Sequence, residues 1–490
     1  MSNEPRYLEP RYLIIHGHFY QPPRESPWTG LINQEHGAAP YANWNEKILA
    51  ECYEANAAAQ VAEGNLIQLH NNYERINFDC GPTLARWLAR HGRNAYRAML
   101  RGDQVAAGRH DGHGNAIAQA SNHSILPLLS PRDREIQIAW GLEDFRFRFG
   151  REAEGLWLPE CAVDEATLET VASAGVKFVI AGSDQGRFGA ADANDRSAGP
   201  FLWRGTAGTV AIFRFDRRFS SLLCDNHGPA ETPFADQIAE ALFAMAPGEA
   251  LVLAADGEYF GHHKRNGADN LARLLTMIDR REDIAITNCS AYLANHPARG
   301  EFTVSAPSSW SCPHGIERWR SDCGCRLEAK TSQEWRAPLR TAIEFARDHS
   351  AALYERFAGQ IVSDPWAALK ASIELSFDPA DLAAAARFFD RYKVSEEGKQ
   401  QLLMTLFEME QAAHTALTSC AWFFDDFGGP EGRIALRWAA RTVELAALFA
   451  PTIEPELLDR LRAIKSNRRE VGEAASLYLS LKTRESRGRI

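Results

Sequence analysis

With 490 residues the chain has room for more than one domain and a large core. A composition of 45% hydrophobic and 24% charged residues is that of a globular protein and excludes a disordered one. The net charge of −10 argues against a nucleic-acid partner, which would favour a basic face.

No apolar stretch is long enough to span a bilayer, so no membrane partner is expected. Met1 to Arg11 is polar and has no apolar h-region, which predicts the absence of a secretory signal. The nine cysteines are then expected to be reduced thiols in a cytoplasmic protein.

Along the first part, short apolar runs alternate with helical patterns. Tyr12 to His16 reads as a strand and runs into His16-Gly17-His18. Trp44 to Glu63 reads as a helix, and Leu66 to His70 as a second strand. Pro82 to His91 is helical, and Asn115 to Gln119 is a third strand candidate. After the helical span Arg132 to Phe149 come apolar runs at Leu156–Leu158, Val176–Ala181 and Leu251–Ala255. Helical patterns at Asp164–Ala174 and Phe234–Met245 separate these. Such alternation predicts a parallel sheet or barrel, and a count near seven strands favours a barrel.

Gly186 to Gly208 reads as a long loop or small insertion over the mouth. From Glu334 to Lys482, Ala and Leu recur at helical spacing, which predicts an all-helical region. Its expected helices are Arg336–Phe357, Pro365–Ser376, Pro379–Arg391, Glu396–Leu417, Gly432–Phe449 and Pro455–Asn467. The fold class is therefore α/β, a (β/α)7-type barrel followed by an all-α bundle. The expected division is 1–297 for the barrel, 298–333 for an irregular Trp- and Cys-containing segment, and 334–490 for the helical domain.

Two acids stand where such a barrel would do its chemistry. Glu160 follows the run ending in Leu158-Pro159, and Asp256 ends the run Leu251 to Ala255. Strand C-termini converge on one mouth of a barrel, so the two carboxylates can face each other there. Facing carboxylates are the minimum equipment for cleaving a glycosidic bond. The plainer alternatives are a helix-entry acid at Glu160 and an Asp-Gly turn at Asp256. Glu258, two residues on, could supply a like charge that lifts the pKa of Asp256, or pair with Lys264 or Arg265.

The motifs together resemble glycoside hydrolase family 57. His16-Gly17-His18-Phe19-Tyr20-Gln21-Pro22 looks like its first motif, with Phe19 and Tyr20 inserted before Gln-Pro. Asn122-His123 through Pro127 looks like the second, and Trp157-Leu158-Pro159-Glu160 like the third. Asp256-Gly257-Glu258-Tyr259-Phe260-Gly261 looks like the fourth, and Ser309-Trp310-Ser311 through Trp319 occupies the place of the fifth. Thr418 to Asp426 resembles the domain of unknown function 3536, which accompanies a subgroup of that family. The resemblance implies Glu160 as nucleophile and Asp256 as general acid/base, acting on an α-glucan-like carbohydrate without a cofactor or metal. It further implies His16, His18, His123, Trp157, Glu258, His262, Trp310 and Trp319 as substrate-binding residues.

Two other classes stay open on the residues alone. His16 and His18 at i and i+2, with His70, His123, His262 and Asp256, could hold the zinc of a metal-dependent amidohydrolase or polysaccharide deacetylase. A barrel whose mouth only binds glucan is the third reading. Separately, Cys312, His314, Cys323 and Cys325 form a Cys-x-His and Cys-x-Cys cluster. Paired zinc ligands are usually two to four residues apart, and here the spacer is one, so a packed, reduced loop competes with a metal site.

Overall fold

The computed structural model describes residues 9–189, 199–225, 231–298, 300–378 and 380–486, which fall into two compact units. The first unit comprises residues up to 20, 35–119 and 148–306; the second comprises 21–34, 120–147 and 307 onward. Residues 1–8, 190–198 and 487–490 lie outside the described residues, and with them part of the polar N-terminus and of the expected Gly186–Gly208 insertion.

The first unit is a closed parallel barrel. Its strands are β1 (Arg11–Phe19), β2 (Asn77–Cys80), β3 (Ala116–Gln119), β4 (Gly155–Trp157), β5 (Phe178–Gly182), β6 (Thr209–Phe215) and β7 (Ala250–Asp256). They neighbour one another in the order β7-β1-β2-β3-β4-β5-β6, and β6 pairs back onto β7 through Phe215 and Val252. Seven strands close the ring, as the alternation in the sequence predicts.

Several helices form between these strands for local reasons. Pro82–His91 starts with Pro82 at its first position, where a missing N–H costs nothing. Glu165–Ser173 begins at Asp164, whose side chain accepts from Thr167 N at 2.7 Å. After β7, Gly267–Asp279 buries Leu271, Leu274, Leu275 and Ile278.

Three expectations need correction. Leu66–His70 is a strand but not a barrel strand. It pairs antiparallel with Ala59–Glu63 in a separate hairpin, and Leu66, Ile67 and Leu69 are exposed. The barrel position belongs to Asn77–Cys80, which carries too few apolar residues to read as a strand. The expected helix Trp44–Glu63 breaks up into Trp44–Ile48, a π turn at Leu49–Tyr53 and Glu54–Ala57, before the chain becomes the strand Ala59–Glu63. β6 and the helix Arg93–Arg109 were not anticipated.

The second unit is helical. Arg336–Ala358, Glu397–Thr415, Pro430–Ala446, Ile453–Arg462 and Ala474–Ser486 are its main helices. The last of these is an addition to those read from the sequence. No helix among the described residues is long and apolar enough to cross a membrane.

Asp103 ties the barrel wall together. This buried carboxylate accepts from Ala116 N at 2.7 Å and from Arg151 Nε and Nη2 at 3.0 and 2.7 Å. It thus joins the helix Arg93–Arg109 to the start of β3 and to the chain entering β4. Asp103→Ala would strand a guanidinium and a backbone N–H. We expect a loss of about 3 kcal/mol of stability, read as a lower urea midpoint with Asp103→Asn falling in between.

Candidate active site

Register builds the site. On β1, His18 lies opposite Asp256 of β7 on one side and opposite Asp79 of β2 on the other. Asp79, His18 and Asp256 thus form a row across three neighbouring strands at their C-terminal ends. One step earlier in the same registers, His16 lies between Asn77 and Ala254.

The row is wired by hydrogen bonds. Asp79, fully buried, contacts His16 Nε2 at 3.0 Å and His18 Nδ1 at 2.9 Å. The Asn77 side-chain amide lies 2.6 Å from His16 Nδ1. An amide N–H donates, so Nδ1 accepts and the His16 proton is assigned to Nε2, aimed at Asp79. The Trp157 indole stacks on both imidazoles, at 4.6 Å from His16 and 4.9 Å from His18. Trp157 comes from β4, which is not adjacent to β1, so this stack crosses the barrel interior.

The electrostatics separate the two histidines. Burial lowers the pKa of His16 despite Asp79, so this ring is neutral. Burial also opposes charge on His18, but Asp79, with Asp256 and Glu258, outweighs it and lifts the pKa to about 9. Asp256 moves the other way from an ordinary carboxyl. Burial raises it to about 6, with His18 pulling down and Glu258 and Asp79 pushing up. Burial lifts Glu258 too, against the Tyr53 hydroxyl and His18, which favour its charge.

The loop after β7 is held by the broken helix. Tyr53 OH donates to Glu258 Oε1 at 2.7 Å, Cys52 Sγ to Gly257 O at 3.3 Å, and Asn56 Nδ2 to Phe260 O at 2.7 Å. The π turn at Leu49–Tyr53 sits at these contacts, as such turns often do at functional sites. Gly261 is required here, because a Cβ would lie 2.2 Å from the Glu51 carbonyl oxygen. His262 Nδ1 contacts Glu51 Oε2 at 2.6 Å and lines a pocket of about 420 Å³ with Gly261 and Arg265.

Glu160 occupies a strained turn. Glu160 (φ 57°) and Cys161 (φ 46°) are consecutive non-glycine residues in the left-handed region. Such conformations cost about 1–3 kcal/mol each and persist only where the surroundings enforce them. Gln185 does so: its amide donates to Cys161 O at 2.6 Å, while its oxygen accepts from Gly182 N at 2.7 Å. Burial pushes the Cys161 thiol well up, and the carboxylates of Glu160, Asp79 and Asp256 add to it.

The other expected site residues fall as follows. His16 and Trp157 have no accessible surface, so they form a layer beneath His18. His70 lies in the exposed hairpin, apart from His16 and His18. In the second unit, His123 (φ 53°) places Nδ1 2.6 Å from Ser419 Oγ, and Ser419 N donates to the His123 carbonyl at 3.0 Å. The second motif is thereby fastened to the Thr418–Asp426 stretch. Trp310 is half-buried, whereas Trp319 is fully buried and presents no ring face to a sugar.

Asp79, Asn77, Tyr53 and Gln185 were missed in the sequence. None of the four carried a signal, since the helical spacing from Trp44 to Glu63 runs through the π turn unbroken. A cavity of about 910 Å³, lined by Arg75, Arg97, Asn115 and Thr287, opens where β3 begins. That is the N-terminal end of the barrel strands, away from both acids and from the end where such barrels do chemistry.

Residues 105–305 match the model of glycosyl hydrolase family 57, and residues 332–485 that of the domain of unknown function DUF3536. A probable 1,4-alpha-glucan branching enzyme of Mycobacterium tuberculosis is 37% identical over 98 residues, 20% of this chain and 17% of the relative. The chain thus spans less than a fifth of that relative's length. Among solved structures, an exo-type maltose-forming amylase from Pyrococcus sp. ST04 superposes with a TM-score of 0.68 at 16% identity, covering 96% of this chain and 82% of that one. A GH57-type branching enzyme from Pyrococcus horikoshii gives 0.57 at 15% identity, covering 97% and 94%. At these identities the superpositions establish the fold. The chain is thus similar to glycosyl hydrolase family 57 over residues 105–305 and to the DUF3536 family over residues 332–485.

Proposed function

We propose that this protein is a retaining α-glucan-active enzyme, hydrolysing or transferring glycosyl groups with Glu160 as nucleophile and Asp256 as general acid/base. The observation that carries the reading is Asp256, half-buried in a row with His18 and Asp79 and held at a pKa of about 6. A carboxyl of that pKa is poised to give up a proton and take it back near neutrality. The family match and the names of its relatives, an amylase and branching enzymes, supply the substrate class.

The chemistry runs in two displacements. Glu160 attacks the anomeric carbon as the glycosidic C–O bond breaks, and Asp256 gives its proton to the leaving oxygen. A glycosyl ester on Glu160 results. Asp256, now a carboxylate, takes the proton from the attacking hydroxyl, and the ester bond breaks. Water as acceptor gives hydrolysis, and a sugar hydroxyl gives transfer. The His18 cation stabilises the Asp256 carboxylate between the two steps. His18, Glu258 and His262 face substrate, while His16 and Trp157 hold His18 in place.

A metal-dependent hydrolase on the same histidines has less support. Both ring nitrogens of His16 are engaged, by Asp79 and Asn77, and the family match is to a glycosyl hydrolase family.

Glu160→Gln should lower kcat by several orders of magnitude while leaving glucan binding intact. Asp256→Asn should spare glycosylation by a substrate with a good leaving group and slow deglycosylation, so a glycosyl ester accumulates. Peptide mass spectrometry should find that label on Glu160, and a label on Asp256 would reverse the roles. In a substrate-bound crystal structure the two carboxyl groups should stand about 5–5.5 Å apart.

The pH profile gives a second check. The acid must be protonated to act, so kcat/KM should fall on the alkaline side with a midpoint near the Asp256 value of about 6. His18 lowers that value, so His18→Asn should move the alkaline limb to higher pH. Glu258 raises it, so Glu258→Gln should move the limb to lower pH. Unmoved limbs in both variants would detach Asp256 from the acid role.

A further inference from the structure

The segment from Pro307 to Trp335 in the second unit is nearly bare of regular structure, with a single turn of 3-10 helix at Glu317–Trp319. Long irregular segments inside a compact unit need some other source of order. Here two tight turns bring four soft ligands together. In the first, Gly315 N donates to Cys312 O at 3.1 Å, which folds Cys312-Pro313-His314-Gly315 back on itself. In the second, Gly324 adopts φ 83° and donates its N–H to Asp322 Oδ1 at 3.1 Å, which turns the chain between Cys323 and Cys325.

The ligand atoms of Cys312, His314, Cys323 and Cys325 all lie within 4.8 Å of one another. Cys312 Sγ is 3.9 Å from Cys323 Sγ and 3.8 Å from Cys325 Sγ, and Cys325 Sγ is 3.5 Å from His314 Nδ1. A tetrahedral zinc with bonds of about 2.3 Å to sulfur and 2.0–2.1 Å to nitrogen sets sulfurs about 3.8 Å apart and sulfur from nitrogen about 3.5–3.6 Å apart. The three separations fit that polyhedron. They are far from a disulfide, whose sulfurs stand about 2.05 Å apart. They also leave room for one ion, whereas an iron–sulfur cluster must fit several atoms between its ligands.

We propose that Cys312, His314, Cys323 and Cys325 bind one structural zinc ion. The surroundings are arranged for it. Arg336, fully buried, donates to Cys325 O at 2.9 Å, and its charge lies near Cys323 and Cys325. Three thiolates and one zinc leave a net charge of −1, which that guanidinium offsets. Arg318 reaches from the same segment to Ser311 O and Phe423 O, both at 3.1 Å, and fixes the backbone beside Cys312. Such outer contacts orient first ligands. The one-residue spacers, which weigh against zinc on sequence alone, are absorbed by the two turns. Four ligands close the coordination sphere, so the ion is structural, with no open position for substrate.

The test uses the full chain purified under reducing conditions without chelator. Elemental analysis should find roughly one zinc per chain, bound after dialysis and released by a mercurial thiol reagent. Cys312→Ser and Cys325→Ser should each lose at least tenfold of that zinc, and Cys224→Ser, in the other unit, should keep it. Because the serine variants can misfold, the unaltered chain is also stripped and reloaded with cobalt(II). Intense tetrahedral d–d bands with thiolate-to-cobalt charge transfer are expected, and X-ray absorption of the zinc form should show three sulfurs and one nitrogen. Overturning results are a chain that stays metal-free after reconstitution with zinc, with all these thiols freely titratable; a Cys312 disulfide in the reduced preparation; iron–sulfur absorption; or zinc retained by the Cys312→Ser/Cys325→Ser double variant.

Discussion

The buried carboxylate of Asp79 is the interaction on which the site depends. It sits between two histidines that would otherwise carry the same neutral form. It orients His16 through Nε2 and sustains the charge on His18, so alternate positions of one strand hold a neutral ring and a cation. Burying such a pair costs several kcal/mol per ion before the attraction repays it. The repayment reaches Asp256, whose proton affinity is set by how much positive charge His18 keeps. Asp79 thus governs the acid from one strand farther away.

A second constraint acts at Glu160, the proposed nucleophile. Two successive left-handed residues cannot be continued into a helix, so the chain after β4 must turn sharply before Asp164 restarts regular structure. Gln185 makes this turn rigid by bridging it to the end of β5. The strain at Glu160 is therefore carried by a side chain from the turn after β5 rather than by the motif itself.

What could be read in the sequence, and what could not, follows one physical line. Leu251 to Ala255, apolar on both faces, was read as a strand, whereas the equally apolar β6 was passed over. Asn77–Cys80 was also missed, because Asn77 and Asp79 spend the inward positions on hydrogen bonds to histidines. A functional interior erases the pattern by which strands are recognised. Leu66–His70 misled in the opposite sense: its pattern is that of a buried strand, yet its leucines face solvent in a hairpin. The π turn at Leu49–Tyr53 was invisible because one extra residue per turn leaves no mark in composition. The acids Glu160 and Asp256 were legible from position, and so was Glu258 as a like charge that lifts Asp256, but Asp79 and Gln185 were not, since their contacts come from register between distant segments.

The interleaving of the two units has a consequence for synthesis on the ribosome. Residues 120–147 leave the barrel between β3 and β4 and belong to the helical unit, as do residues 21–34. Trp140, fully buried, donates from its indole to the carbonyls of Leu369 and Lys370, more than two hundred residues downstream. That tryptophan emerges early and waits, uncovered, until most of the chain has been made. Stop codons after the barrel would therefore release a polypeptide with orphaned apolar surface rather than a smaller working domain, and the C-terminal half acts in effect as the partner for segments threaded out of the N-terminal half.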